Sequence, residues 1–250
     1  MSYRTLVLAS LFLFVPALAL AQRGGRGGPP QSGRQAAPID VTGYWVSTVM
    51  EDWKFRMVTP RKGIFETLPL NAEGRRVGET WDPARDEASG EQCRAYGAAG
   101  VMRLPGRLHI TWENDNTLRI DTDAGTQTRQ FYFGATAPAA GEPSWQGRSV
   151  AQWELGAGGG RGQGPRTGDL KVVTTNLRPG YVRKNGAPYS KNATVTEYYD
   201  LNTMPNGDLW LTVTTKVEDP TYFTRPYLTT SDFKKLPDAT GWNPTPCSAK

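Results

Sequence analysis

The chain has 250 residues, 38% of them hydrophobic, and a formal net charge of +5. Four of its cations, Arg4, Arg23, Arg26 and Arg34, stand near the N-terminus; setting them aside leaves the rest near +1 and excludes a strong overall field for nucleic acid or membrane. One histidine and two cysteines exclude multi-histidine metal centres and zinc spacings, and no phosphate loop or dinucleotide fingerprint occurs, so neither cofactor nor metal is expected.

Residues 1–21 read as a cleaved secretory signal: Arg4, then an apolar run from Leu6 to Leu20, then Ala19-Leu20-Ala21 with cleavage after Ala21. The expected address is periplasmic or secreted. No cysteine follows the cleavage site to carry a lipid, and no other apolar run suits membrane insertion. Residues 22–38, rich in Gly, Arg and Pro, read as a disordered leader. One β domain is expected over 39–250. In an oxidising compartment Cys93 and Cys247 are expected to form a disulfide, closing a long loop worth up to ~5 kcal/mol in the chain-entropy model.

The domain opens with Gly43-x-Trp45, which resembles the first-strand motif of lipocalin-like barrels, where a Trp closes the floor. Alternation of Trp53, Phe55 and Met57 with Lys54, Arg56 and Val58 extends a strand from Tyr44 to Val58. Residues 71–81 predict a helix, with Asn71 as N-cap, Val77 and Trp81 as its apolar edge, and Pro83 as the stop. From Arg107 to Phe133 two alternating runs meet about Asn114-Asp115-Asn116. A three-residue loop places Trp112 beside Leu118 and Ile110 beside Ile120, and with them His109 opposite Asp121 and Arg107 opposite Asp123. The next turn, Asp123-Ala124-Gly125, would bring Gln127 and Arg129 onto the same polar face.

Strands follow at Ser149–Glu154, Leu170–Asn176 and Tyr227–Leu236, with a glycine-rich loop over 156–168. Residues 192–220 form a long hairpin about Asn206-Gly207. A two-residue type I′ turn there sets Glu197 opposite Lys216, Tyr199 opposite Thr214 and Tyr198 opposite Thr215. The whole predicts an all-β fold: an antiparallel meander β-barrel, lipocalin-like, of about nine to ten strands with one short helix.

From Arg103 onward the motifs L-P-G-R-L-H-I-T-W-E, P-S-W-Q-G-R-S-V-A-Q-W-E, L-K-V-V-T-T-N-L-R-P-G-Y, Y-S-K-N-A-T-V-T-E-Y-Y-D and V-E-D-P-T-Y-F-T-R-P-Y follow one another. This order resembles a family of uncharacterised exported bacterial proteins with lipocalin-like barrels. The resemblance covers about the last 150 residues and implies the fold and no activity. Many relatives carry histidines where this chain has Tyr189 and Thr194, and an acid where it has Lys191, so any role of those groups does not transfer.

Candidate chemistry is sparse. His109 with Asp121 reads either as a general base or as a charged pair on a strand face, and no nucleophile motif stands near it. Arg107, Arg119, Asp121, Asp123 and Arg129 would line a lumen for an anion or lie on the outer face. Glu218 and Asp219 are adjacent on a strand and point apart. The aromatic residues are the richer signal: Trp153, Tyr181, Tyr189, Tyr199 and Trp210, with Arg178 and Arg225 on connections, suit a pocket. Three functions follow. The first is a barrel binding a small apolar or aromatic ligand in its lumen. The second is a cofactor-free isomerase, cyclase or hydrolase using His109, Asp121 or Glu197 with a tyrosine. The third is a structural or assembly subunit, marked by a filled barrel and an exposed apolar patch. Oligomeric state is not legible.

Overall fold

The computed structural model describes residues 31–134, 137–156 and 168–250. The expected signal sequence, residues 22–30 of the leader and most of the glycine-rich loop lie outside them. Nine strands close a barrel in the order β1 (Gly43–Thr48), β11 (Tyr227–Leu236), β10 (Leu209–Glu218), β9 (Thr194–Thr203), β6 (Gly168–Thr175), β5 (Arg148–Leu155), β4 (Gln127–Phe133), β3 (Thr117–Thr122) and β2 (Arg107–Asn114), which returns to β1. A separate ribbon pairs β7 (Gly180–Arg183) with β8 (Ala187–Tyr189).

The all-β barrel is present, and its meander is interrupted twice. β4 and β5 run parallel, so the connection 134–147 must carry the chain back to the end β4 started from. β6 pairs with β9, with the ribbon inserted between them. Four short α-helices occur among the described residues, where the sequence predicted one: α1 (Gly33–Ala36), α2 (Trp53–Met57), α3 (Ala72–Gly78) and α4 (Pro83–Ala88).

Inward side chains meet in one apolar cluster, with Trp45, Ile110, Leu118, Phe131, Tyr199 and Phe233 almost wholly buried. The indole of Trp45 donates to the Val41 carbonyl at 3.0 Å, under a chain turned by Gly43 at φ +107°, as the opening motif implied. β1, β6 and β10 run the same way round the barrel, so the segments that follow them, 49–106, 176–193 and 219–226, gather at one end. A second apolar cluster with Phe65, Leu70, Leu177, Val182, Tyr189 and Val217 seals that end. The disulfide Cys93–Cys247 ties the C-terminal tail to the 3-10 turn Gln92–Ala95.

Several sequence expectations are corrected. The strand to Val58 ends at Thr48; Asp52 turns the chain with a left-handed backbone, φ 51°, and α2 follows. Alternation over so few residues also fits a single helical turn, with Trp53 and Met57 four apart on one face. Asn71 does cap α3, accepting from the Gly74 N–H at 2.8 Å, and a Cβ on Gly78 would stand 2.5 Å from the Phe65 ring. Pro83 opens α4 instead of only ending α3, because Asp82 caps Ala84 and Arg85.

The β2–β3 register is the expected one, with Trp112 opposite Leu118, Ile110 opposite Ile120 and His109 opposite Asp121; a bulge at Glu113 absorbs the odd residue. The next register differs. Gly125 and Thr126 both take positive φ, and the four-residue loop pairs Thr122 with Gln127 and Ile120 with Arg129. Arg129 therefore turns inward with Ile120, away from Arg119 and Asp121.

The long hairpin slips by one residue from the type I′ expectation: Tyr199 faces Val213, Tyr198 faces Thr214 and Glu197 faces Thr215. Met204 and Asp208 close the loop, the Gly207 N–H donates to the Met204 carbonyl, and only Gly207 is left-handed. Pro205, with its fixed φ, takes the second position of an ordinary turn, and Gly207 forms the bulge after it. This register puts Val195, Glu197, Tyr199 and Leu201 on the face of Leu211, Val213, Thr215 and Val217. Part of the leader is also ordered: Ser32 caps α1, and the Gly33 N–H donates to Asn116 at 2.7 Å.

Candidate functional site at the capped end

The segment between β1 and β2 and the β7–β8 ribbon bring three buried guanidinium groups together. The 3-10 turn Val101–Arg103 carries Arg103 under the barrel mouth. Its guanidinium donates to the Thr229 hydroxyl on β11 and to the Asp52 carboxylate at 3.2 Å. Arg183, at the end of β7, donates to the Glu66 carbonyl at 3.3 Å and the Thr67 hydroxyl at 3.0 Å, lies 3.6 Å from Asp52, and stacks on Phe55 at 4.6 Å.

Arg56 of α2 is 8% exposed. Its Nε donates to the Arg103 carbonyl at 2.7 Å, while its Nη1 and Nη2 are buried with no acceptor among the described residues. Burial, and then the charge of Arg103, lower the Arg56 pKa to about 10 against the pull of Glu51 and Asp232. Burial also lowers Arg183. Arg56 remains protonated at neutral pH.

These groups line a cleft with Phe55, Ala95, Leu104 and Val182 on its apolar side and Lys184 at its edge. The free space, about 20 Å³, admits roughly one water. Among the described residues, Asp52 is the one carboxylate within ion-pair distance of any of the three arginines. Buried charge without an acceptor costs several kcal/mol unless water or an anion supplies one. Chemically, the arrangement can hold a carboxylate or phosphate oxygen beside an apolar wall.

The expected site residues are dispersed. Glu197 lies inside the barrel, fully buried, and forms a two-pronged pair with Arg129 at 2.8 and 2.6 Å. The Tyr199 hydroxyl stands 3.3 Å from the same carboxylate. Burial and then Glu197 push the Tyr199 phenol well up. Burial disfavours the Arg129 charge, and the Glu197 carboxylate more than reverses that, raising it.

His109 lies on the outer wall, stacked on Tyr44 with ring centres 4.0 Å apart and Trp242 edge-on at 6.3 Å. Its cross-strand neighbour Asp121 gives its carboxylate to Arg119 at 2.8 and 2.9 Å and to the Thr128 hydroxyl. Burial would raise the Asp121 pKa, and those contacts together hold it low.

Tyr181 and Tyr189 lie under the cap. The Tyr181 hydroxyl donates to the buried Asp86 at 2.8 Å, beneath Arg94 at 4.5 Å. The Tyr189 hydroxyl is buried against Gly97 and Gly180. Burial raises both phenols. Arg178 is half exposed, stacked on Trp145 and paired with Glu91. Trp153 stacks on Phe133 and donates to the Gly33 carbonyl at 2.7 Å. Trp210 lies on the outer face of β10, opposite Asn202 and Lys234, and Arg225 borders a shallow groove with Phe223 and Asp219. Asp219 accepts from the Ser190 and Thr221 backbones and holds a turn.

The structure thus brings Glu197 and Tyr199 together inside the barrel and His109 and Asp121 together on its outer wall, where both line one cleft, whereas Tyr181 and Tyr189 pack in different apolar clusters and no single pocket gathers the expected set. Arg56, Arg103, Arg183 and Lys184 were not singled out from the sequence. In the sequence Arg56 is one member of the alternating run 53–58, and the other three stand in no motif. Among the described residues no cluster of three or more metal-ligating side chains occurs, and no helix is long and apolar enough to cross a membrane. Compared with family models, curated proteins and solved structures, the chain finds no match in any of the three.

Proposed function

We propose that this protein is a ligand-binding β-barrel whose ligand is a small anion with an apolar or aromatic body, held in the arginine cleft at the capped end. The observation that carries this reading is Arg56, a buried guanidinium with two nitrogens lacking any acceptor, beside two more buried arginines. A carboxylate or phosphate oxygen taking the water-sized space would answer those nitrogens, and the apolar body would stay at the opening of the cleft, since about 20 Å³ holds little more than one such atom. Trp45, Phe131 and Phe233 fill the lumen, which counts against a ligand there and, with the exposed apolar side chains at 50–58, meets the mark set for an assembly subunit; the unanswered arginine favours a ligand at the mouth. The disulfide suits work after export in an oxidising compartment. Acid–base turnover draws less support, because Glu197 is committed to Arg129 and His109 lies on the outer wall beside Asp121.

The test is an NMR titration of the intact protein with inorganic phosphate, benzoate and phenyl phosphate. Amide shifts should concentrate at Arg56, Gly100, Arg103, Val182 and Arg183. Losing even one charge-assisted hydrogen bond of about 1.5–3 kcal/mol should weaken binding at least roughly tenfold in Arg56→Met. Titrations that leave those amides unmoved, or shift them equally in Arg56→Met, sink the proposal.

A further inference from the structure

Helix α2 is inside out. Its Arg56 is buried, while Trp53 is 63% exposed and Met57 59%. Met50 and Val58 beside it are as exposed, so among the described residues four of the seven large exposed hydrophobic side chains fall within residues 50–58. Leu228 adds a fifth on β11, the strand whose Thr230 holds Glu51. Such a concentration of apolar surface on one short segment marks an interaction face.

Charge says what covers it. Around this face stand Lys54, Arg61 and Lys62, all exposed, with Lys184 at the cleft edge and the three buried arginines behind; the acids there are Glu51, Asp52, Glu66 and Asp232. Seven cations against four anions give this face about +3. Removing Arg4, Arg23 and Arg26 from the +5 of the chain leaves +2 for residues 31–250, so the rest of that stretch is near −1. The positive charge excluded by the overall count is therefore concentrated here. A tryptophan and two methionines ringed by lysine and arginine match the boundary of an anionic bilayer, where an indole lies at the headgroup level and cations meet lipid phosphate.

We infer that the α2 face is a docking surface for an anionic phospholipid bilayer. Trp53 and Met57 enter the headgroup boundary, and Lys54, Arg61 and Lys62 face the phosphates. The contact is peripheral and requires no spanning segment. It does not depend on the arginine cleft having a ligand.

The experiment is co-sedimentation of the full protein, after loss of any signal sequence, with phosphatidylcholine vesicles and with vesicles containing one-third phosphatidylglycerol. The expected result is binding to the anionic vesicles at least tenfold stronger than to the neutral ones and weakened by salt. Trp53→Ser/Met57→Ser and, separately, Lys54→Glu/Lys62→Glu should each lower it at least tenfold. Arg56→Met and saturating inorganic phosphate should leave it within twofold, which separates this surface from the cleft. Equal binding to both vesicles, none to either, or unchanged binding by Trp53→Ser/Met57→Ser overturns the inference. So does a protein dimer in solution that Trp53→Ser/Met57→Ser dissociates, which would make the face an interface between copies.

Discussion

Replacing Glu197 by glutamine should be among the most damaging conservative changes in the chain. Glutamine keeps the shape and removes the charge, leaving the fully buried Arg129 guanidinium with neutral partners: the Thr174 hydroxyl at 3.4 Å, the Tyr199 hydroxyl, the Phe131 ring at 4.9 Å and the new amide. Breaking a buried pair from one side costs about 3–5 kcal/mol, because the surviving charge is uncompensated. For a chain of this size each kcal/mol moves the melting temperature by roughly 2–4 °C, so a fall of about 6–20 °C is expected. Arg129→Met should cost a comparable amount. The double variant Arg129→Met/Glu197→Leu should recover most of the loss, since two apolar side chains of similar volume fill the same space with no charge left inside. Urea denaturation of the parent, Arg129→Met, Glu197→Leu and Arg129→Met/Glu197→Leu, read as a double-mutant cycle, gives the coupling directly. If Glu197→Gln falls within about 0.5 kcal/mol of the parent, the pair is not held as a charged pair in the barrel. The assignment of Glu197 to structure instead of acid–base chemistry would fail with it.

Other outcomes follow from particular contacts. Asp200 stands opposite Asp169 on the outer wall, and burial and then that second carboxylate push it up to about 6. A carboxyl raised in the fold keeps its proton there while the unfolded chain loses it, so its contribution to stability falls as pH rises from about 4 to about 6. Asp200→Asn should therefore gain over the parent across that window, by no more than ~1 kcal/mol once solvent screening is allowed for, in urea melts at successive pH values. A gain that shrinks with rising pH would contradict the sign. Removing the cross-link as Cys93→Ser/Cys247→Ser should cost about 2–5 kcal/mol, measured against the oxidised parent in the same melts. Gly125→Ala should cost about 2 kcal/mol or more, because the backbone has φ +77° and the new Cβ would stand 2.1 Å from the Tyr96 ring; a neutral result in thermal melts would refute that packing.

What local pattern decides was legible in the sequence. Period-two alternation with turn residues between the runs is enough to predict a β-barrel, because each strand must bury one face. The β2–β3 register followed from matching apolar Trp112 and Ile110 to Leu118 and Ile120. The same matching applied to the 192–220 hairpin finds Tyr199 beside Val213, and Met-Pro-Asn-Gly is a turn with Pro second and Gly fourth. Giving the Asn-Gly pair priority over the facing side chains produced the one-residue error there. The cysteine pair needed only the number of cysteines and the compartment.

What the sequence left open was decided by contacts between distant segments. Alternation shows that a strand has two faces and not which one is inside, so Arg129 and Glu197, 68 positions apart, meet only when β4 and β9 face across the closed barrel. Arg56, Arg103 and Arg183 carry no shared spacing, because they come from a helix, a 3-10 turn and a ribbon that converge only once the barrel orders its ends. Local periodicity records the secondary structure, since it is imposed by neighbours in the chain. The cleft and the exposed α2 face arise from closure, which local periodicity does not record.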